Sequence, residues 1–463
     1  MKPVKKIESL GPDFYDAVEA AEFPEHILRY KNMAAAARLG LQDLDEEAWV
    51  AHFAKFKPFN DSLQKPLALK YHGRQFEYYN PDLGDGRGFL YAQFKDNDTL
   101  LDIGTKGSGQ TPYSRAGDGR LTLKGAIREV LATEYLQALG VNTSKTLSVV
   151  ETGEKLTRND EPSPTRSAVL CRLSHSHIRI GTFQRLAHLG EMDNIKKLLD
   201  YTCENYYPQL KSLDINKKVP AFLDEVTRAC AETTAEWMVN GFVHGVLNSD
   251  NINITGESFD YGPYRFLPHY EPKFVAAYFD RKGLYAYNKQ PEIIYWNLQQ
   301  LAKCFAFMYD NEQDSYQALQ GYSKYFSSHL METFLARLNL QPLNHGENHK
   351  LLSYTYEFIS ESEVPYENFF FDWFGGERRG YKAMSGKFAK YYQGEAFTRF
   401  YNQIKVFRVR NEEILRDDYF NAGRACTLYL NDIEKIWADI DQKDNWTLFG
   451  RKLSAIQTMV ARA

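Results

Sequence analysis

The sequence predicts an α+β fold of two lobes, a β-rich lobe followed by a mainly helical one, and three observations carry that reading. Residues 83–173 hold short, β-rich apolar runs punctuated by glycine turns. Long segments with an apolar period near 3.6 residues dominate beyond residue 174. At 463 residues the chain is also large enough to bury a bilobed core with a cleft.

Residues 1–80 mix helical stretches such as EEAWVAHFAKF with turns and read as an N-terminal extension. From Leu83, LGDGRGFLYAQF and TLLDIGTKGSG read as short strands around glycine turns, which opens the β-rich lobe. KGAIREVLATEYLQALG follows. Its Ile127, Val130, Leu131, Tyr135, Ala138 and Leu139 fall near the helical period, and Gly140 is a stop signal. LSVVET and AVLCRL, on either side of the polar loop GEKLTRNDEPSPTR, read as two further strands, so the lobe spans 81–173. Residues 174–463 form the helical lobe and a C-terminal helical extension, with NIKKLLDYTCENYY, AFLDEVTRACAETTAEWMVNGF, WNLQQLAKCFAFMY and SYQALQGYSKYFSSHLMETFLARL as its clearest helices. There is no fixed-period repeat and no low-complexity tract, which excludes a solenoid.

Composition narrows the function classes. The 56 basic and 60 acidic side chains nearly cancel to −4, so no global field draws the chain to nucleic acid or an anionic membrane, and any phosphate site must be local. Charged residues at 25% and aromatic residues at 14% describe a packed globular protein. Cys171, Cys203, Cys230, Cys304 and Cys426 form no CxxC pair, which points away from a zinc site or a disulfide framework and toward a reducing compartment. The start MKPVKKIESLGPDF has no apolar leader core, and no run of 18 apolar residues occurs; a cytoplasmic, non-spanning protein is expected.

The stretch most informative about chemistry is GFVHGVLNSDNINITGESFDYGP, residues 241–263, which resembles a kinase catalytic loop followed by a metal-binding DFG-like turn. Counting from His244, the place of the usual kinase base holds Val246 and the place of the metal-binding Asn holds Asn251. Asp260-Tyr261-Gly262 supplies a second hard oxygen ligand of the kind Mg²⁺ shares with nucleotide phosphates. Asp250 is the nearest replacement carboxylate, NINI reads as strand-like, and His244 is expected to hold the loop rather than carry a proton. Taken singly, Asp250, Asn251 and Asp260 are ordinary turn formers; together they outline a metal–nucleotide site.

A second cluster lies in the β-rich lobe: Gly84-Asp85-Gly86-Arg87, Lys106-Gly107-Ser108-Gly109 and Gly117-Asp118-Gly119-Arg120. Glycine turns expose N–H groups that cradle phosphate oxygens. KGSGQT is no Walker A motif, because its Lys precedes the glycines. Lys106 followed by Glu129 on an amphipathic helix matches the kinase strand lysine and its helix glutamate, against the blander reading of a solvated helix Glu. Arg172 and Arg179, seven apart, present two guanidinium forks to phosphate or serve as hinge ion-pair residues.

In this order GDGRG, KGSGQTPYSRAGDGR, IRE, SHIRIG and HGVLNSDNINITGESFDYGP make the chain similar to selenoprotein O, the YdiU-like protein adenylyltransferases. The likeness runs from YHGRQFE at Tyr71 to about Ala306, with a fainter echo in PDFYDAV. The resemblance implies a protein-kinase-like bilobed fold in which ATP sits inverted, so that AMP is transferred to Ser, Thr or Tyr hydroxyls of protein substrates. It implies that Gly84, Gly86, Arg87, Lys106, Asp118 and Gly119 lie against nucleotide and that Glu129 pairs with Lys106. It further implies that Arg172 and Arg179 bind phosphates, that Asn251 and Asp260 hold Mg²⁺ (with Mn²⁺ the alternative), and that Asp250 is the general base. His175 stands where the family usually has proline, and Arg74 and Glu77 stand in a segment otherwise usually HQFG. The ending TMVARA has no Cys or selenocysteine, so redox control through that end is not expected. Two other readings remain open: an ordinary kinase, and a nucleotide-binding pseudokinase that regulates a partner.

Overall fold

A computed structural model describes residues 1–306 and 312–459. The last residues of TMVARA lie outside that range, as does FMY at the end of the WNLQQLAKCFAFMY segment. The architecture is α+β: one large antiparallel sheet and many helices. The strands are β1 (Lys2–Val4), β2 (Tyr15–Ala17), β3 (Ile27–Lys31), β4 (Leu67–Leu69), β5 (Gly73–Gln75), β6 (Tyr78–Asn80), β7 (Leu90–Lys95), β8 (Leu100–Lys106), β9 (Leu121–Thr122), β10 (Lys145–Leu156), β11 (Thr165–Ser174), β12 (Phe242–Val243) and β13 (Arg265–Phe266). Nine of them form one sheet in the order β2-β4-β7-β8-β11-β10-β3, with β1 on β7 and β9 on β11. β5–β6 and β12–β13 are separate two-stranded pairs.

The long central strands β7, β8 and β11 are buried almost throughout because both sheet faces are covered. Leu90, Leu100 and Leu170 join the core that includes the helix Leu123–Ala138. Their neighbours Tyr91, Leu101 and Cys171 point the other way, into a core built around Trp49 and Phe53 of the helix Glu46–Phe53. Alternation along each strand puts successive residues on opposite faces, so a doubly covered strand is buried along its length rather than at every second residue. The helix Leu123–Ala138 begins where Thr122 accepts a hydrogen bond from the Gly125 amide at 3.1 Å.

Two differences from the sequence reading have plain causes. Residues 1–80, expected as an extension of helical stretches and turns, put four strands into the large sheet. These strands are only three to five residues long, too short for a period of two to stand out. SYQALQGYSKYFSSHLMETFLARL is two helices, Glu312–Leu319 and Tyr322–Arg337, which part at Gly321. NIKKLLDYTCENYY lies within the helix Met192–Tyr206 and its cap, and AFLDEVTRACAETTAEWMVNGF lies in the helix Ile215–Val239 and its cap except for Gly241 and Phe242, the latter opening β12. Among the described residues no helix is long and apolar enough to cross a membrane. A third core, centred on Phe334, Phe358, Trp373 and Phe400, holds the C-terminal helices together.

Candidate active site

Lys106 ends β8, and pairing with β11 carries it toward the helix Leu123–Ala138. There its ammonium group donates to Glu129 Oε2 at 2.7 Å and to Asp260 Oδ1 at 2.6 Å. One lysine therefore ties the large sheet to the segment after the 244–251 loop. Asp260 has φ 63°, a left-handed conformation that few non-glycine residues adopt and that is retained where surrounding contacts over-determine it. Burial opposes its ionisation, but Lys106, then Arg87 and Arg172, outweigh burial and hold its carboxyl well below the usual carboxylate range.

Two arginines close the far side. Arg172 comes from β11 and Arg179 from the residue before the helix Ile180–Leu189. Their guanidinium groups lie 5.0 and 5.2 Å from the same Phe259 ring, and Arg179 also lies 4.2 Å from the centre of Tyr71. Arg179 pairs with Asp85 Oδ1 at 3.3 Å and donates to the Asp250 backbone carbonyl at 3.3 Å. Arg172 lies 3.8 Å from Glu129 Oε1 and 3.5 Å from His177 Nε2. Behind it, Asp102 accepts from the His177 backbone amide at 2.9 Å.

Asp250 sits on the single turn Ser249–Asn251 and is 8% exposed. Its Oδ1 is buried and accepts no hydrogen bond. Burial pushes its carboxyl up to about 6, although Arg179 pulls the other way. His244 bonds through Nε2 to the Phe259 carbonyl at 2.8 Å, so it joins the start of the loop to the start of the DYG turn, as expected of a residue that holds the loop. NINI forms no strand; only Asn253 pairs, as an isolated bridge with Arg179. Arg179 instead takes up that edge with its own backbone.

These groups face one cavity of about 760 Å³. Gly84, Gly86, Arg87, Lys106, Asp118, Gly119, Arg172, Arg179, Asp250, Asn251 and Asp260 all line it, and Glu129 stands behind Lys106. The glycines are there for space. A Cβ at Gly84 would stand 2.3 Å from the Tyr113 ring, and one at Gly119, where φ is +69°, would stand 2.3 Å from the Gly109 backbone. Asp118 is half exposed and paired with Arg158 at 2.8 Å.

Among the described residues no group of three or more His, Cys, Asp or Glu side chains is arranged to hold a metal ion alone. That fits Mg²⁺ at a nucleotide site, where one or two protein oxygens suffice and phosphates and water complete the shell. Asp260 offers an ionised carboxylate. Asn251 donates its amide nitrogen to the Val246 carbonyl at 3.3 Å, so its amide oxygen is the atom that could meet a cation.

A family profile described as protein adenylyltransferase SelO matches residues 2–457. The chain belongs to the SelO family of protein adenylyltransferases. Among its relatives, a protein nucleotidyltransferase YdiU of Trichodesmium erythraeum is 44% identical over 462 residues, covering 96% of this chain and 95% of that one. The namesake of Trichormus variabilis is 44% identical over 470 residues, 98% and 95% of the two chains. That of Gloeobacter violaceus is 43% identical over 455 residues, 95% and 92%.

Sequence reading of this SelO-family chain missed the supports of the site. Tyr71 and Phe259 carry the arginines, Asp85 anchors Arg179, and His177 backs Arg172. It also missed the β5–β6 hairpin against the loop: Arg74 N donates to Ser249 Oγ at 2.7 Å, and a Cβ on Gly73 would stand 2.5 Å from Asp250 Oδ1. The glycine in YHGRQFE was the one available signal.

Proposed function

We propose that this member of an adenylyltransferase family binds Mg-ATP in the 760 Å³ cavity and transfers AMP to Ser, Thr or Tyr hydroxyls of other proteins, with Asp250 as general base. The observation that supports this most is a buried carboxyl oxygen without a partner, Asp250 Oδ1, in the same cavity as the Lys106–Asp260 pair and two arginines. A bare acceptor costs stability unless something uses it.

In this reading the substrate hydroxyl oxygen attacks the α-phosphorus, the bond from that phosphorus to the bridging oxygen breaks, and pyrophosphate leaves. Asp250 takes the hydroxyl proton. Lys106, Arg172 and Arg179 offset charge on the α-phosphate and the departing pyrophosphate, while Gly84, Gly86, Arg87, Asp118 and Gly119 form the wall on which nucleotide lies. Bound Mg²⁺, or Mn²⁺, held by Asn251 and Asp260, supplies further charge neutralisation. The sheet side, residues 81–173, and the helical side, residues 174–463, act as the lobes of a kinase-like fold with ATP inverted between them, preceded by residues 1–80. The chain works in the cytoplasm and takes no nucleic acid or membrane partner, in keeping with its net charge of −4.

Val246, at the place of a kinase base, lines the cavity with a side chain that cannot accept a proton, whereas Asp250 can. Incubating cell extract with the protein and Mg-ATP labelled at the α-phosphate should label protein, and γ-label should not, with AMP on Ser, Thr or Tyr found by mass spectrometry. Transfer of the γ-label would make it a kinase. Tight ATP binding with neither label transferred would make it a pseudokinase.

A further inference from the structure

A second cavity, of about 900 Å³, lies on the outer side of the β5–β6 hairpin, walled by Phe76 and Tyr78 of the hairpin, Phe279 and Arg281 of the following loop, and Ile293 and Trp296 of the helix Gln290–Lys303. The two cavities share a wall. Gln75 lines the nucleotide cavity and the next residue, Phe76, lines this one. The Phe76 amide donates to Asn248 Oδ1 at 3.3 Å and to the Tyr285 hydroxyl at 3.1 Å, and Asn248 is itself a nucleotide-cavity residue two positions before Asp250.

The wall is shaped at a cost. Phe76 and Glu77 form a two-residue turn with φ of 49° and 69°, the sign a type I′ turn requires and that Asn and Gly adopt far more readily. Part of the aromatic lining is left in water: Tyr78 is 81% exposed and Phe279 44% exposed, while Phe76, in edge contact with Phe279 at 6.1 Å, and Trp296 pack partly against the main core. Adjacent apolar rings left in water mark an interaction surface. The rim charge is uneven. Lys289 is paired with Glu292 at 2.7 Å, and the Asp280 carboxylate accepts from the Leu284 and Tyr285 amides, whereas among the described residues two cations, Arg281 and Lys282, and one acid, Glu77, make no ion pair, so the unpaired rim charge is net positive.

We propose that this groove docks an extended segment of the protein substrate, with a large apolar or aromatic side chain between Phe279 and Trp296 and an acidic side chain facing Arg281 and Lys282, beside the hydroxyl presented to Asp250. The proposal rests on the transfer reading above. It assigns recognition to residues outside the nucleotide cavity, so the two can fail separately.

The test is a library of short hydroxyl-bearing peptides, randomised on either side of a fixed Ser, Thr or Tyr, incubated with Mg-ATP labelled at the α-phosphate. The full chain should favour peptides with an aromatic or large aliphatic residue and an Asp or Glu at set distances from the hydroxyl. Arg281→Glu with Lys282→Glu should remove the acidic preference, and Tyr78→Ala with Phe279→Ala should raise KM for the best peptide about tenfold at unchanged kcat. Mg-ATP binding, read by thermal shift, should be as in the wild type. Labelling indifferent to the flanking residues, or preferences unmoved by both double variants, overturns the groove and leaves the transfer reading standing. A change of molecular mass in solution with unchanged peptide KM makes the surface a contact between copies of the chain and overturns it equally. No α-label on any peptide or extract protein overturns the transfer reading, and the groove with it.

Discussion

The cavity lined by Lys106 and Asp260 buries one carboxyl, and the C-terminal helical core partly buries another; burial pushes both up to about 6, and the two regions treat them in opposite ways. Asp372 accepts the Tyr392 hydroxyl at 2.6 Å, and Tyr392 itself packs against Phe358, Trp373 and Phe397. Asp250 leaves Oδ1 bare. Raised proton affinity is thus common to both and marks neither as reactive. What separates them is satisfaction: Asp372 is given its donor, and Asp250 Oδ1 is not, which is what the proposed role as base requires.

The largest expected effect breaks the comparison directly. Asp250→Ala should lower AMP transfer on the order of a thousandfold while Mg-ATP binding by calorimetry stays close to wild type, and full transfer in this variant would remove Asp250 as the base. Asp260→Ala should weaken binding and transfer together, because the same carboxylate holds Lys106 and is a proposed metal ligand.

Next comes stability. The folded Asp250 carboxyl lies at about 6 against an ordinary 3.8, so the fold binds that proton more tightly than the unfolded chain. Ionisation therefore weakens the fold as pH rises through that window, with no penalty below it and the full penalty above about pH 6. In buffer free of nucleotide and metal, Asp250→Asn should be more stable than wild type at pH 7, by on the order of 3 kcal/mol, and equal to it near the foot of the window. Urea titrations at the two pH values check the sign.

Gly73→Ala should follow, with transfer reduced about tenfold or more and nucleotide binding kept, since the new methyl group overlaps Asp250 Oδ1 at 2.5 Å. The smallest effect sharpens the contrast. Asp372→Asn should leave transfer unchanged and shift stability at pH 7 in the same direction as Asp250→Asn but by less, because Asp372 is only partly buried and keeps the Tyr392 hydroxyl. A loss of transfer in Asp372→Asn would undo the distinction.

What was legible from sequence was local. Asp250, Asn251 and Asp260 lie within eleven residues of one another, and Lys106 and Glu129 sit on a recognisable strand and helix, so their spacing carried the pattern. The β5–β6 hairpin was not legible, because Phe76 and Glu77 are poor residues for its turn. The short strands of residues 1–80 were not legible either, because three residues cannot display a period. NINI looked like a strand by composition, but its neighbours in space, Arg179 and the turn at Ser249–Asn251, left it only one bridge.

By itself the order of residues determined the α+β class, the helices with strong periods, and the candidate side chains for a phosphate and metal site, because these depend on neighbours a few positions apart. Only the tertiary structure decided that Lys106 touches Asp260 across 154 positions, that Arg172 and Arg179 share one aromatic ring, and that Asp250 has a bare oxygen. Contacts of that range, and the lack of one, arise when distant segments close a common core, which no local pattern encodes.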